Sequence, residues 1–172
     1  MKQSIVCGID GSQESRAGLR VAAQLSSRLG LRLVVAHVAP ATLFPPPYGT
    51  TPIVEPATEA DFRAAEELLA RVTREEGVPD TERRALHGVP AECLADLADE
   101  EGAAFIVVGS RGRGAFRGAL LGSVSQDLLG IARCPVLVLP PGAAASDGSE
   151  IAQSEAALPA GQRTDYAAPA LD

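Results

Sequence analysis

Four short apolar stretches are continuous rather than alternating: Ser4 to Ile9, Leu31 to Val38, Phe105 to Val108 and Val136 to Leu139. A continuous run of this length suits a parallel strand covered on both faces. Glu82 to His87 is only partly apolar and reads as a fifth strand at a sheet edge. Between these runs the apolar spacing changes to three and four residues. Ala17, Val21, Leu25 and Leu29 repeat behind Ser12, a capping residue, and Gly30 closes that helix. Phe62, Ala65, Leu69 and Val72 mark a second helix, opened by Thr58 and Asp61 as a capping box and stopped by Gly77 and Pro79. Pro90 opens a third, carrying Leu94, Ala95 and Ala98 and ending at Gly102. A fourth begins near Val124 with Leu128 and Ile131 directed inward. Strand and helix alternate throughout, which predicts an α/β fold: a single doubly wound five-stranded parallel sheet with helices on both faces. The last strand follows Pro135 and reads as the other edge. Pro40 to Pro56 is rich in proline, and predicts a long loop outside the sheet interior, placed to act as a lid.

A length of 172 residues and a hydrophobic content of 46% fit one domain, residues 1–140. From Pro141 to Asp172 the chain is mostly Ala, Ser, Gly, Pro and acids without an apolar period, and is expected to be a disordered tail. That tail holds more than half of the net charge of −7. A mildly acidic domain gains nothing from nucleic acid or an anionic membrane by bulk electrostatics, so neither is an expected partner. The three cysteines, Cys7, Cys93 and Cys134, are far apart and lack metal-ligand spacing, which fits a reduced, cytoplasmic setting and no metal centre. No run reaches membrane-spanning length, and the first residues carry no signal-like apolar stretch.

Chemistry concentrates between the fourth strand and the fourth helix. Gly109, Gly112 and Gly122 punctuate a loop holding Arg111, Arg113 and Arg117, and no acid occurs from Gly102 to Gln126. Glycines let backbone approach a ligand closely, and a helix starting directly afterwards offers free N–H groups and a positive dipole end to an anion. The loop reads as a phosphate cradle. Ser123 is either a phosphate donor or an ordinary helix cap completed by Gln126. Asp10, in Asp-Gly-Ser at the end of the first strand, is a site residue or a turn aspartate. In a sheet of this kind ligands bind beyond the carboxyl ends of the strands where the order reverses, and the first and fourth strands flanking that point would bring Asp10 and Gly109 to one crevice. His37 reads as a core or crevice-edge histidine, His87 as a surface residue, Asp99-Glu100-Glu101 as a solvated helix end, and Cys7 and Cys134 as small core residues.

The spacing Gly109-x-x-Gly112-(nine residues)-Gly122-Ser123, with Ile9-Asp10-Gly11-Ser12, His37-Val38 and Gly88-Val89-Pro90, resembles the universal stress protein family from Ser4 to Leu139. The glycine pattern is similar to that of the family's ATP-binding branch. The resemblance implies a Rossmann-like, adenine nucleotide alpha hydrolase-like fold that binds ATP. It implies that Asp10 with the Ile9 and Val38 backbones holds adenine and ribose, that Gly109 lies under the ribose, and that Gly112, Gly122, Ser123 and Val124 wrap the phosphates, with Arg111 beside them. It also implies a homodimer through the last strand, with Val136 and Val138 shielded from water.

Hydrolysis is expected to be slow or absent. Lys2 is the only lysine and no GxxxxGK[ST] occurs, so no phosphate-loop lysine is available. Magnesium would be held by the phosphates, Ser123 and Asp10, a thin ligand set. The expectation is therefore a regulatory, nucleotide-dependent stress-response protein. The competing classes are a non-nucleotide interaction module of the same fold and a weak ATPase or adenylyl-transfer enzyme. The second lacks a Ser-Gly-Gly-x-Asp-Ser loop and a His-x-Gly-His motif.

Overall fold

The computed structural model describes residues 3–40, 43–44, 53–54, 57–112 and 121–140. The 141–172 tail, Arg113, Arg117 and most of the 40–56 loop lie outside the described residues.

The first strand, β1 (Ser4–Gly8), is buried along its whole length, as its unbroken apolar run requires. Helix α1 (Gln13–Leu29) follows, with Ser12 as N-cap accepting from the Ser15 amide and Gly30 closing it at φ 66°. Next come β2 (Arg32–Pro40), the two-residue strands β3 (Leu43–Phe44) and β4 (Ile53–Val54), and α2 (Glu59–Glu75). Thr58 and Asp61 form the expected reciprocal capping box. Then β5 (Glu82–Gly88), α3 (Pro90–Glu100), β6 (Ala103–Gly109), α4 (Ser123–Ile131) and β7 (Val136–Leu139) complete the fold.

Five strands form one parallel sheet in the order β5-β2-β1-β6-β7. Both anticipated edges are edges. The chain moves outward from β1 on one side, then returns to its other side at β6, so the order reverses between β1 and β6. Alternate residues of the strands supply two cores. Ile5, Cys7, Val35 and Val107 meet Leu19 and Ala22 of α1 and Leu69 and Val72 of α2. Val6, Val34, Ile106 and Val108 meet Leu94 and Leu97 of α3 and Leu128 of α4. Helices therefore cover both faces.

β3 and β4 pair antiparallel within the proline-rich stretch, apart from the main sheet. Three expectations need correction. Phe62 is 40% exposed, and Leu68 is buried on α2 instead. Ile131 is 46% exposed because α4 ends there, leaving Leu128 as its main buried anchor. Glu101 is no solvated helix end: its carboxylate lies 2.7 Å from Arg32 and 2.6 Å from Arg84, joining α3 to β2 and β5.

Candidate functional site

A cleft of about 480 Å³ opens at the carboxyl ends of β1, β2 and β6, where the strand order reverses. Ile9, Asp10, Val38, Gly109, Arg111, Gly112, Gly122, Ser123 and Val124 all line it. The sequence-predicted residues are thus brought to one place. Arg113 and Arg117 fall outside the described residues.

On the β1 side the turn is held by its own side chains. Asp10 Oδ1 accepts from the Ser12 amide at 2.9 Å and the Ser12 hydroxyl at 2.6 Å. The Asp10 amide donates to Ser15 Oγ at 3.3 Å, and that hydroxyl donates to the Ser12 carbonyl at 3.1 Å. Asp10 is therefore both a turn residue and a cleft residue, so its two readings do not compete. The Ile9 amide donates to Ala36 and its carbonyl lies 2.7 Å from His37 Nδ1. A carbonyl only accepts, so Nδ1 carries the hydrogen and Nε2 of the neutral ring is the acceptor. His37 also lines the cleft. It braces the ends of β1 and β2, and no hydroxyl or thiol nucleophile is paired with it among its described bonds.

The glycines have separate structural reasons. A Cβ at Gly109 would lie 2.9 Å from backbone atoms of Glu14 and Ser15, so β6 packs directly on the start of α1 only without a side chain. A Cβ at Gly112 would collide with Asp10 Oδ2, which places the loop's first turn against the acid of β1. Gly122 is the N-cap of α4, in extended backbone, and among the described residues no side chain caps the helix. Ser123 is consequently the first helical residue, and the capping-box alternative fails. The first intrahelical bond is made by Gln126, to the Gly122 carbonyl at 3.0 Å. The amides of Ser123, Val124 and Ser125 precede it, at the positive end of the helix dipole. Gly122 contributes differently from the expectation, because its own amide donates to the Ser110 carbonyl at 2.6 Å.

Among the described residues, two buried groups beside this helix end have no hydrogen-bond partner: Ser110 Oγ and Arg111 Nε. An unpartnered buried donor of a cationic side chain, next to uncapped amides, is chemistry suited to an anion. The described residues bring together no group of three or more His, Cys, Asp or Glu able to hold a metal ion.

Sequence reasoning missed Ser15, Ser110 and Ser125, all lining the cleft. Their only signal was position, small hydroxyl residues beside the loop glycines or one turn into a helix. Ser15 bonds within its own turn, to Asp10 and Ser12, whereas the Ser125 contact with Ser110 depends on the fold.

Residues 1–140 match the family model described as the universal stress protein family. A Thermus aquaticus protein named "Universal stress protein in QAH/OAS sulfhydrylase 3'region" is 34% identical over 139 residues, covering 81% of this chain and 99% of the relative. A universal stress protein of Mycolicibacterium smegmatis is 38% identical over 141 residues, with 80% of this chain spanning 45% of that protein. Among solved structures, a universal stress protein in complex with cAMP is 25% identical with a TM-score of 0.60, covering 80% of this chain and 97% of that one. One from Archaeoglobus fulgidus in complex with dAMP is 26% identical with a TM-score of 0.56, over the same shares.

Proposed function

Since the chain belongs to the universal stress protein family, we propose that it is an ATP-binding regulatory member, with slow or no hydrolysis and a role in a nucleotide-dependent stress response. One observation carries this reading: the uncapped start of α4, the partnerless Arg111 Nε and the Asp10 turn open onto a single cleft at the strand reversal. Adenine and ribose would sit between Asp10, Ile9 and Val38, over Gly109. Phosphates would lie toward Gly112, Gly122, Ser123, Val124 and Arg111. Complexes of relatives with cAMP and dAMP support an adenine nucleotide as the ligand class.

The residues fit such a ligand in charge as well as shape. Asp10, its Oδ1 fixed by Ser12, would face the hydroxyl-bearing part, and the helix end and Arg111, on the same cleft, would face the anionic part. A magnesium ion would ride on the phosphates, with Ser123 and Asp10 as the protein's donors. With Lys2 the sole lysine, no lysine of the cleft neutralises a transferring phosphoryl group. We place the protein in the cytoplasm as a homodimer joined through β7. No helix among the described residues is long and apolar enough to cross a membrane.

The test is calorimetric titration of nucleotide-stripped protein with ATP, cAMP and adenosine, with mass spectrometry of the unstripped protein for co-purified nucleotide. Saturable ATP binding is expected. Absence of nucleotide in both measurements would leave an interaction module of the same fold.

A further inference from the structure

The geometry points to Ser125 as a residue that positions the phosphate-facing start of α4. This inference rests on the nucleotide reading of the cleft and adds a residue that acts on the ligand through others.

Ser125 is 2% exposed and is the third residue of α4. Its hydroxyl donates to the Gly122 carbonyl at 2.9 Å, which is ordinary bonding of a helical serine back to the preceding turn. Its second contact is not local. The same hydroxyl lies 3.2 Å from the carbonyl of Ser110, fifteen residues earlier at the exit of β6. The hydroxyl's single hydrogen is shared between these two carbonyls, and the Ser110 carbonyl also receives the Gly122 amide at 2.6 Å, so Ser125 adds a shared bond beside a full one at the same acceptor. The Ser110 amide in turn donates to Leu139 of β7 at 2.7 Å.

Ser110 is therefore a junction anchored on the sheet, and Ser125 and Gly122 are the two groups that fasten the start of α4 to it. The two described ends of the glycine loop, Ser110 to Gly112 and Gly122, meet at this junction. Closing a loop costs chain entropy, and holding its ends in the ligand-free protein removes that cost from binding. The bond also fixes the direction of the Ser123 and Val124 amides relative to Asp10, because the helix start cannot swing away from β6. Adenosine lacks phosphate and meets only the Asp10 side, so its binding does not depend on this fastening.

Titrating wild type and Ser125→Ala with ATP and adenosine, alongside amide hydrogen exchange of both ligand-free proteins, tests this. Alanine is a good helix former and Ser110 keeps its bond to Gly122, so the variant is expected to melt close to wild type. ATP affinity should fall about tenfold, adenosine affinity should change less than about twofold, and exchange should quicken at residues 122–125. Equal ATP affinity in both proteins, or equal losses for ATP and adenosine, would overturn the assignment. A wild type that binds neither ligand overturns the nucleotide reading and this role together, whereas binding by wild type isolates the fate of Ser125.

Discussion

At the scale of single residues, three glycines that look equivalent in the sequence answer to different constraints. Gly109 is required by backbone packing on α1, whatever the cleft holds. Gly112 lies against the carboxylate of Asp10, so a side chain there would have to push that carboxylate aside. Gly122 has φ −79° and ψ 165°, open to any residue, and a Cβ there would meet Ser110 O at 3.4 Å and Arg111 Cα at 3.5 Å, ordinary contact distances. Gly122 is thus the position where a side chain can enter the cleft with least damage to the fold. Gly122→Val is expected to abolish ATP binding while far-UV circular dichroism stays near wild type. Retained affinity would remove the cradle from the argument. Ser123 stands at the first helical position, exposed and lining the cleft. Ser123→Ala should weaken ATP binding by about 1–2 kcal/mol, the scale of one hydrogen bond to a charged group. Because Gly122 holds the cap position, the same change should leave the thermal midpoint almost unmoved. A melting shift without an affinity change would instead mark Ser123 as structural.

At the scale of elements, strands, helices and their caps were legible because each depends on local chemistry: unbroken apolar runs, capping hydroxyls, closing glycines. The meeting of Asp10 with the glycine loop was legible only on the condition that the first and fourth strands flank the reversal, because alternation implies a parallel sheet and leaves the strand order open; the order β5-β2-β1-β6-β7 meets that condition. What joins distant elements was not legible. Asp99-Glu100-Glu101 carries no mark of its partners, and the fold alone brings Arg32 and Arg84 to Glu101. The Ser110–Ser125 bond escaped for the same reason. Glu101 now permits a pH prediction. The Arg32 hydrogen bond above all, helped by the charges of Arg84 and Arg32, holds its carboxyl below the ordinary value of 4.5, against an opposing cost of burial that exceeds either charge taken singly. A lowered folded pKa means stability present above the unfolded value and lost as pH falls through the folded one. Both arginines face solvent, so the contribution is about 1 kcal/mol at most. Glu101→Gln should lower the urea midpoint at pH 7, with the gap to wild type closing as pH drops below about 4. A gap that persists in acid would assign the loss to packing.

At the scale of the whole molecule, the β7 edge of the sheet is without a strand partner among the described residues. β7 ends the strand order, and an unpaired edge offers its backbone groups to another chain. The adjoining surface is apolar: Leu137 is 37% exposed, and α4, which packs against β7, adds Leu129 at 57% and Ile131 at 46%. Antiparallel pairing of two β7 strands across a two-fold axis would cover this edge, as proposed for the homodimer. Val136 and Val138 are a poor place to test it. Both are partly buried against the α3 and α4 layer of their own chain, so lysines there would damage the protomer as well as any interface. Leu137 points away from that layer. Leu137→Lys puts a charge at the edge while leaving both cores intact, and sedimentation of this variant should show a monomer where wild type is a dimer. The cleft is built within one chain, so the monomeric variant should keep its ATP affinity to within a few-fold. A variant that remains dimeric places the interface elsewhere. A monomer that has also lost ATP would mean that pairing at β7 shapes the cleft, by way of the Leu139 carbonyl that holds the Ser110 amide at 2.7 Å.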